Sequence, residues 1–208
     1  MRTERLQALA DGIFAIALTL LVLELPVPAG SEHLAQDLVR QWPFYAAYVV
    51  SFVTIAIVWI NHHGLMATVA RVDRALLELN LLLLLFVALV PWPTGLLAEY
   101  LLATEQSSAA AVTYGLVMTL MAASFAAIWL RLARARDLAH PERRSYIPVA
   151  FRRSLVGPAV YGLGTLVALV NAFVAFGLFA FAAGFFAVSG RAVRALDRGR
   201  PPRSWEKR

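Results

Sequence analysis

"RLQALADGIFAIALTLLVLEL", residues 5–25, decides the fold. It is long and apolar enough to cross a bilayer, for which about 20 residues suffice. Yet Asp11 sits near its start and Thr19 in its middle. The rest of the 208-residue chain agrees: 60% of it is hydrophobic and only 15% charged. Soluble domains average about 45–50% apolar and about 25% charged, so the excess points to an all-α integral membrane protein. The stretch lacks a small-residue cleavage site and runs into Glu24, Pro26 and Pro28, so it is expected to be retained rather than removed as a signal peptide. Cysteine is absent, which excludes disulfides and thiolate metal sites.

Working outward, six spans are expected, at residues 6–25, 43–67, 75–98, 108–131, 152–170 and 172–190. Pro43 suits a first helical turn. Pro91 and Pro93 are expected to kink or end the third span. The long apolar run from Ser154 to Gly190 is about twice one span, so it is divided near Asn171. Its recurring glycines, Gly157 to Gly190, are expected to let helices pack closely. No internal repeat and no soluble domain are evident. The chain reads as one transmembrane domain with a basic tail at 191–208.

Charge fixes the orientation. With six spans, eighteen of the nineteen lysines and arginines fall on the side that holds both termini, and only Arg40 falls opposite. The positive-inside rule then puts both termini in the cytoplasm. The opposite loops carry mostly acids, among them Glu24, Glu32, Asp37, Glu99 and Glu105. The net charge of +6 is thus read as an orientation signal and as contact with anionic lipid. No base-reading module accompanies it, so no nucleic-acid partner is expected.

Polar groups within spans are costly and point to function. Asp11, Trp59, Asn61, His62, His63 and Asn80 come from three spans and lie at one depth, with Arg5 just below. On its own helix Asp11 has only Gln7 as a polar neighbour at three or four residues. Arg5 lies about 120° round the helix, so a histidine of the second span or another subunit is the expected partner. A hydrogen-bonded layer that locks the helices and a proton relay are both open readings. Adjacent histidines point apart and do not make an i, i+4 metal pair, so no metal site is expected. Further along span one, Ile16, Thr19, Leu20 and Leu23 form one stripe. Packing accounts for such a stripe, and Thr19 is expected to bond back to the Ala15 carbonyl. Hydrolase, phosphate-loop, dinucleotide and T-V-G-Y-G filter motifs are all missing, so the chain is not expected to be an enzyme or to carry a carbonyl filter.

"RLQALADG" with "IFAIALTLLVLEL" resembles the transmembrane protein 175 family of potassium channels in its prokaryotic, single-repeat form. The family signature is an arginine followed, six residues on, by the aspartate of F-S-D. Arg5 and Asp11 keep that spacing, with Leu9 and Ala10 in place of the phenylalanine and serine. "WINHH" is similar to its Trp-x-x-His, matching Trp59 and His62, and "LVPWPTGLL" to the end of its third helix. The resemblance covers about the first 100 residues. It implies a homotetramer in a prokaryotic plasma membrane, with six helices per subunit and helix 1 lining a central pore. It further implies a potassium-permeable channel whose narrowest apolar ring is Ile16, with Thr19 as a hydroxyl layer and Leu20 and Leu23 as further rings. Arg5, Asp11 and His62 would brace the pore helix from the cytoplasmic side. The partners would be potassium ions and membrane lipids, with no cofactor beyond the permeant ion. Two rival classes are a proton-coupled small-solute transporter and a non-conducting membrane scaffold. The transporter reading is weakened because no repeat is seen and the ionisable groups sit at one end.

Overall fold

The first helix, α1 (Thr3–Leu20), buries Leu6, Ala10, Phe14 and Ala17, a three-to-four-residue spacing that defines one packed face. A 3₁₀ turn at Leu21–Glu24 tightens its end and buries Leu21. A loop follows, in which Gly30 turns the chain with a left-handed φ of 71°. Then come a short α2 (Leu34–Arg40) and the long α3 (Trp42–Met66), with Pro43 in its first turn. The computed structural model describes residues 3–103 and 106–198. Met1, Arg2, Thr104, Glu105 and residues 199–208 lie outside the described residues, as do the side chains of residues 188–198.

Prolines punctuate the second half. Asp73 caps α4 (Arg74–Leu89) by accepting the Leu76 N–H at 2.8 Å. A proline cannot donate to the carbonyl four residues back and clashes with it, so Pro93 ends α4 at Leu89. Both prolines then fall in the first turn of α5 (Pro91–Tyr100), where a missing N–H removes no helical bond. The same rule separates α7 (Ile147–Ser154) from α8 (Val156–Ala168): Pro158 faces the Ser154 carbonyl. Between these pairs runs α6 (Ser107–Arg134). The last helix is α9 (Ala172–Arg198), whose first turn is capped by Asn171 Oδ1 accepting the Val174 N–H at 3.0 Å.

The central helix is α6, which packs against α4, α5, α7, α8 and α9. By contrast α1 packs on one side, against α3 and α4. No strand occurs among the described residues, apart from an isolated bridge between Val69 and Ala139. Four helical stretches are long and apolar enough to cross a membrane: Thr3–Glu24, Trp42–Met66, Arg74–Tyr100 and Ser107–Arg134. The chain is therefore a multi-pass membrane protein. The expected fifth and sixth spans differ from those four. The thirteen residues of α8 rise only about 20 Å, against a hydrocarbon core of about 30 Å. The apolar part of α9 is likewise short, Ala172–Ala187.

Ion pairs secure one end of the bundle and close packing secures its interior. At one end of the bundle Arg131 of α6 donates to the cap residue Asp73, and Arg71 reaches Asp137 at 2.9 Å. In the interior the Phe179 ring fills the gap left by two glycines. A Cβ on Gly164 would stand 2.4 Å from that ring, and one on Gly115 would meet Thr165 Oγ1 at 2.3 Å. Gly164→Ala should therefore displace Phe179 and lower stability by about 1–3 kcal/mol, read as a lower melting point in detergent. A second change, Phe179→Leu, should recover part of the loss.

The hydrogen bond from Arg131 holds the Asp73 carboxyl below the usual carboxylate range, against a smaller opposing push from burial. A group with a depressed folded pKa stabilises above its unfolded value, about 3.9, and that contribution fades as pH falls through the folded value. Asp73→Asn keeps the cap but not the charge. The stability gap between wild type and Asp73→Asn should be steady at neutral pH and close below about pH 4. Chemical denaturation across that range measures it.

Candidate functional site

Three helices converge near the end of the bundle that holds the α1 N-terminus. Asp11 on α1 accepts the Trp59 indole N–H at 2.9 Å. One turn below, Gln7 Nε2 donates to His63 Nδ1 at 3.1 Å. These two bonds fasten α1 to α3. His62 points the other way, into the core, where its Nε2 lies 2.7 Å from Asn80 Oδ1 of α4. With Oδ1 as acceptor, Nε2 carries the proton. Phe14 of α1 covers the imidazole, with ring centroids 5.5 Å apart. Both His62 and Asn80 are buried, and His62 Nδ1 and Asn80 Nδ2 have no partner among the described residues.

The layer expected from sequence thus separates into two sides of α3. Successive residues on a helix point about 100° apart. Trp59 and His63, four apart, face α1, whereas His62 faces α4. Asp11 finds its donor on the second span, but it is the indole of Trp59 and not a histidine. Asn61 stands apart from both pairs, exposed, on the wall of a cavity towards α8 and α9. Arg5 is exposed and makes no ion pair among the described residues. No group of three or more His, Cys, Asp or Glu suited to a metal occurs among the described residues.

The α1 stripe lies on the helix face that α3 and α4 leave open. Ile16 is 58% exposed, Leu20 40% and Leu23 74%. Thr19 is exposed too. Its hydroxyl donates to the Ile16 carbonyl at 2.9 Å rather than to that of Ala15, a three-residue return that suits a helix tightening towards its 3₁₀ end. Leu23 sits on that 3₁₀ turn. Arg5, Gly12 and Ile16 share the open face, since seven and eleven residues bring a helix back to within about 20°.

A second polar rung went unread in the sequence. Ser51 of α3 lies 2.8 Å from Thr94 Oγ1 of α5 and 3.1 Å from the Tyr114 hydroxyl of α6, all buried. Thr54 lies 3.3 Å from the Tyr161 hydroxyl of α8. Scattered Ser, Thr and Tyr give no periodic signal. Their only mark was a hydroxyl at mid-span.

A family profile described as "Endosomal/lysosomal potassium channel TMEM175" matches residues 5–91. A potassium channel of Streptomyces collinus is 48% identical over 187 residues, covering 87% of this chain and 91% of the relative. A potassium channel of Chamaesiphon minutus is 36% identical over 195 residues, covering 91% of this chain and 96% of the relative. The crystal structure of a lysosomal potassium-selective channel TMEM175 homolog from Chamaesiphon minutus superposes with a TM-score of 0.81 at 34% identity. It covers 90% of this chain and 97% of that one.

The His62–Asn80 pair yields a stability test. Asn80→Leu leaves a buried N–H without an acceptor, which should cost about 1–3 kcal/mol. His62→Phe combined with Asn80→Leu removes both polar partners and should recover much of that loss. Thermal unfolding of the three proteins in one detergent measures it; equal melting points for the single and double variants would refute the pairing.

Proposed function

The chain belongs to the TMEM175 family, and from that premise we propose that it is a potassium-permeable cation channel with a hydrophobic constriction formed by α1. Its family is one of ion channels and not of enzymes. The subunit contributes six membrane-crossing elements, with α7–α8 and α9 as the last two. Four subunits surround a central pore, and both termini face the cytoplasm of a prokaryotic cell. The 18-to-1 division of basic residues supports that orientation.

One observation carries the pore assignment. The inner face of α1 is sealed by Leu6, Ala10, Phe14 and Ala17, while Ile16, Thr19, Leu20 and Leu23 on the other face have no cover within the subunit. Four such faces around an axis make stacked apolar rings with one hydroxyl layer. Ile16 forms the narrowest ring. An apolar ring gates by excluding water, because an ion that sheds its hydration finds nothing there to replace it. Selection follows from how readily each cation loses water. The charge in span one then has a purpose: Asp11, held by Trp59, fixes the rotation of α1 and so aims Ile16. His62 steadies α3 against α4 from behind. Arg5, on the open face, pairs across the subunit boundary.

Replacing Ile16 by Asn should wet the ring and supply oxygens. In planar bilayers with potassium and sodium on opposite sides, current should rise and the reversal potential should move. Leu116→Asn on α6, off the proposed pore, should change neither. Unaltered conductance and reversal potential in Ile16→Asn would remove Ile16 from the constriction.

A further inference from the structure

A slot opens between α3, α6, α8 and α9 on the side away from α1. Its cavity volume is about 100 Å³. Ile57, Val58, Ala122, Phe125 and Phe186 form apolar walls. The hydroxyls of Thr54 and Tyr161, 3.3 Å apart, mark its deep end. Arg153 and Asn61 stand at its mouth. The slot persists because Gly157 of α8 has no side chain: a Cβ there would stand 3.2 Å from that of Ala122.

The mouth is cationic. Arg152 and Arg153 end α7, both exposed, and among the residues whose side chains are described no carboxylate lies within ion-pair distance of either. The buried side of α7 is apolar, through Ile147 and Ala150, so the helix has the character of an interfacial segment. Its arginines lie on the same side of the membrane as those of the α6 C-terminus. Under the proposed orientation that is the cytoplasmic leaflet, which is rich in anionic lipid.

From this combination of a narrow apolar slot and an exposed guanidinium at its rim, we infer that the slot binds one anionic phospholipid, a segment of its acyl chain against Val58 and Phe186 and its phosphate on Arg153. A zwitterionic lipid offers the same chain but no net charge to the mouth. Free phosphate offers the charge but nothing to the walls. The site lies apart from the proposed pore and does not depend on conduction.

Native mass spectrometry of the full chain in mild detergent tests it, titrating dioleoylphosphatidylglycerol, dioleoylphosphatidylcholine or glycerol 3-phosphate. Phosphatidylglycerol should bind more tightly than phosphatidylcholine, and glycerol 3-phosphate should not displace it. Arg153→Gln should weaken phosphatidylglycerol about five-fold, as loss of one lipid-facing arginine implies. Arg143→Gln, exposed on the α6–α7 link, should leave it unchanged. Val58→Phe narrows the slot without touching a charge and should weaken both lipids. Equal binding of phosphatidylglycerol by wild type and both slot variants overturns the site, as does displacement by glycerol 3-phosphate. A lower oligomer mass in Arg153→Gln with lipid binding intact would assign the slot to a second copy of the chain and overturn it too.

Discussion

A carboxylate within an apolar helix needs a donor, and Asp11 takes the indole N–H of Trp59. Much of the subunit's organisation follows from that bond. The bond joins α1 to α3 near the end of the bundle that holds the α1 N-terminus. The Gln7–His63 bond one turn below makes the attachment two-point. Once the rotation is set, Leu6, Ala10, Phe14 and Ala17 turn inward, and Ile16 and Leu23 are left outside.

Behind this attachment the bundle is organised round α6. Its contacts run to both halves of the chain, and it carries Arg131 to the cap of α4 and Tyr114 to the hydroxyl rung at mid-bundle. The two ends are secured differently. The arginine-rich end uses ion pairs, Arg131–Asp73 and Arg71–Asp137, where partial exposure leaves both charges solvated in part. The middle uses neutral hydroxyls and aromatic stacking, with Phe179 against Tyr114 and Tyr161. Charges would cost far more there.

An asymmetry results. One face of the subunit, along α1, is left open by rigid packing behind it. The other, along α8 and α9, is perforated by a glycine-lined slot with an arginine at its rim. The first is the face to which the proposed pore wall is assigned. The second is the face to which the inferred lipid site is assigned. Proline breaks at Pro91–Pro93 and Pro158 let the chain change direction while keeping its backbone bonded.

The amino-acid sequence by itself determined that the chain is helical, crosses the membrane and belongs among relatives that conduct potassium. Apolar run length, proline positions and the Arg5–Asp11 and Trp59–His62 spacings are local properties, readable without a partner. It also put Asp11, Trp59, His62 and Asn80 at one depth, because depth along a helix is counted in residues. Only the tertiary structure decided who pairs with whom. Pairing depends on helix rotation, and a 100° step sends Trp59 to α1, His62 to α4 and Asn61 to neither. The return bond from Thr19 to Ile16, the Ser51–Thr94–Tyr114 rung and the slot beneath Arg153 were equally out of reach. The rung and the slot are made by residues from helices far apart in sequence, and no spacing along one chain encodes the distance between two; the Thr19 bond is local, but its choice of Ile16 over Ala15 follows the tightening of α1 into its 3₁₀ end.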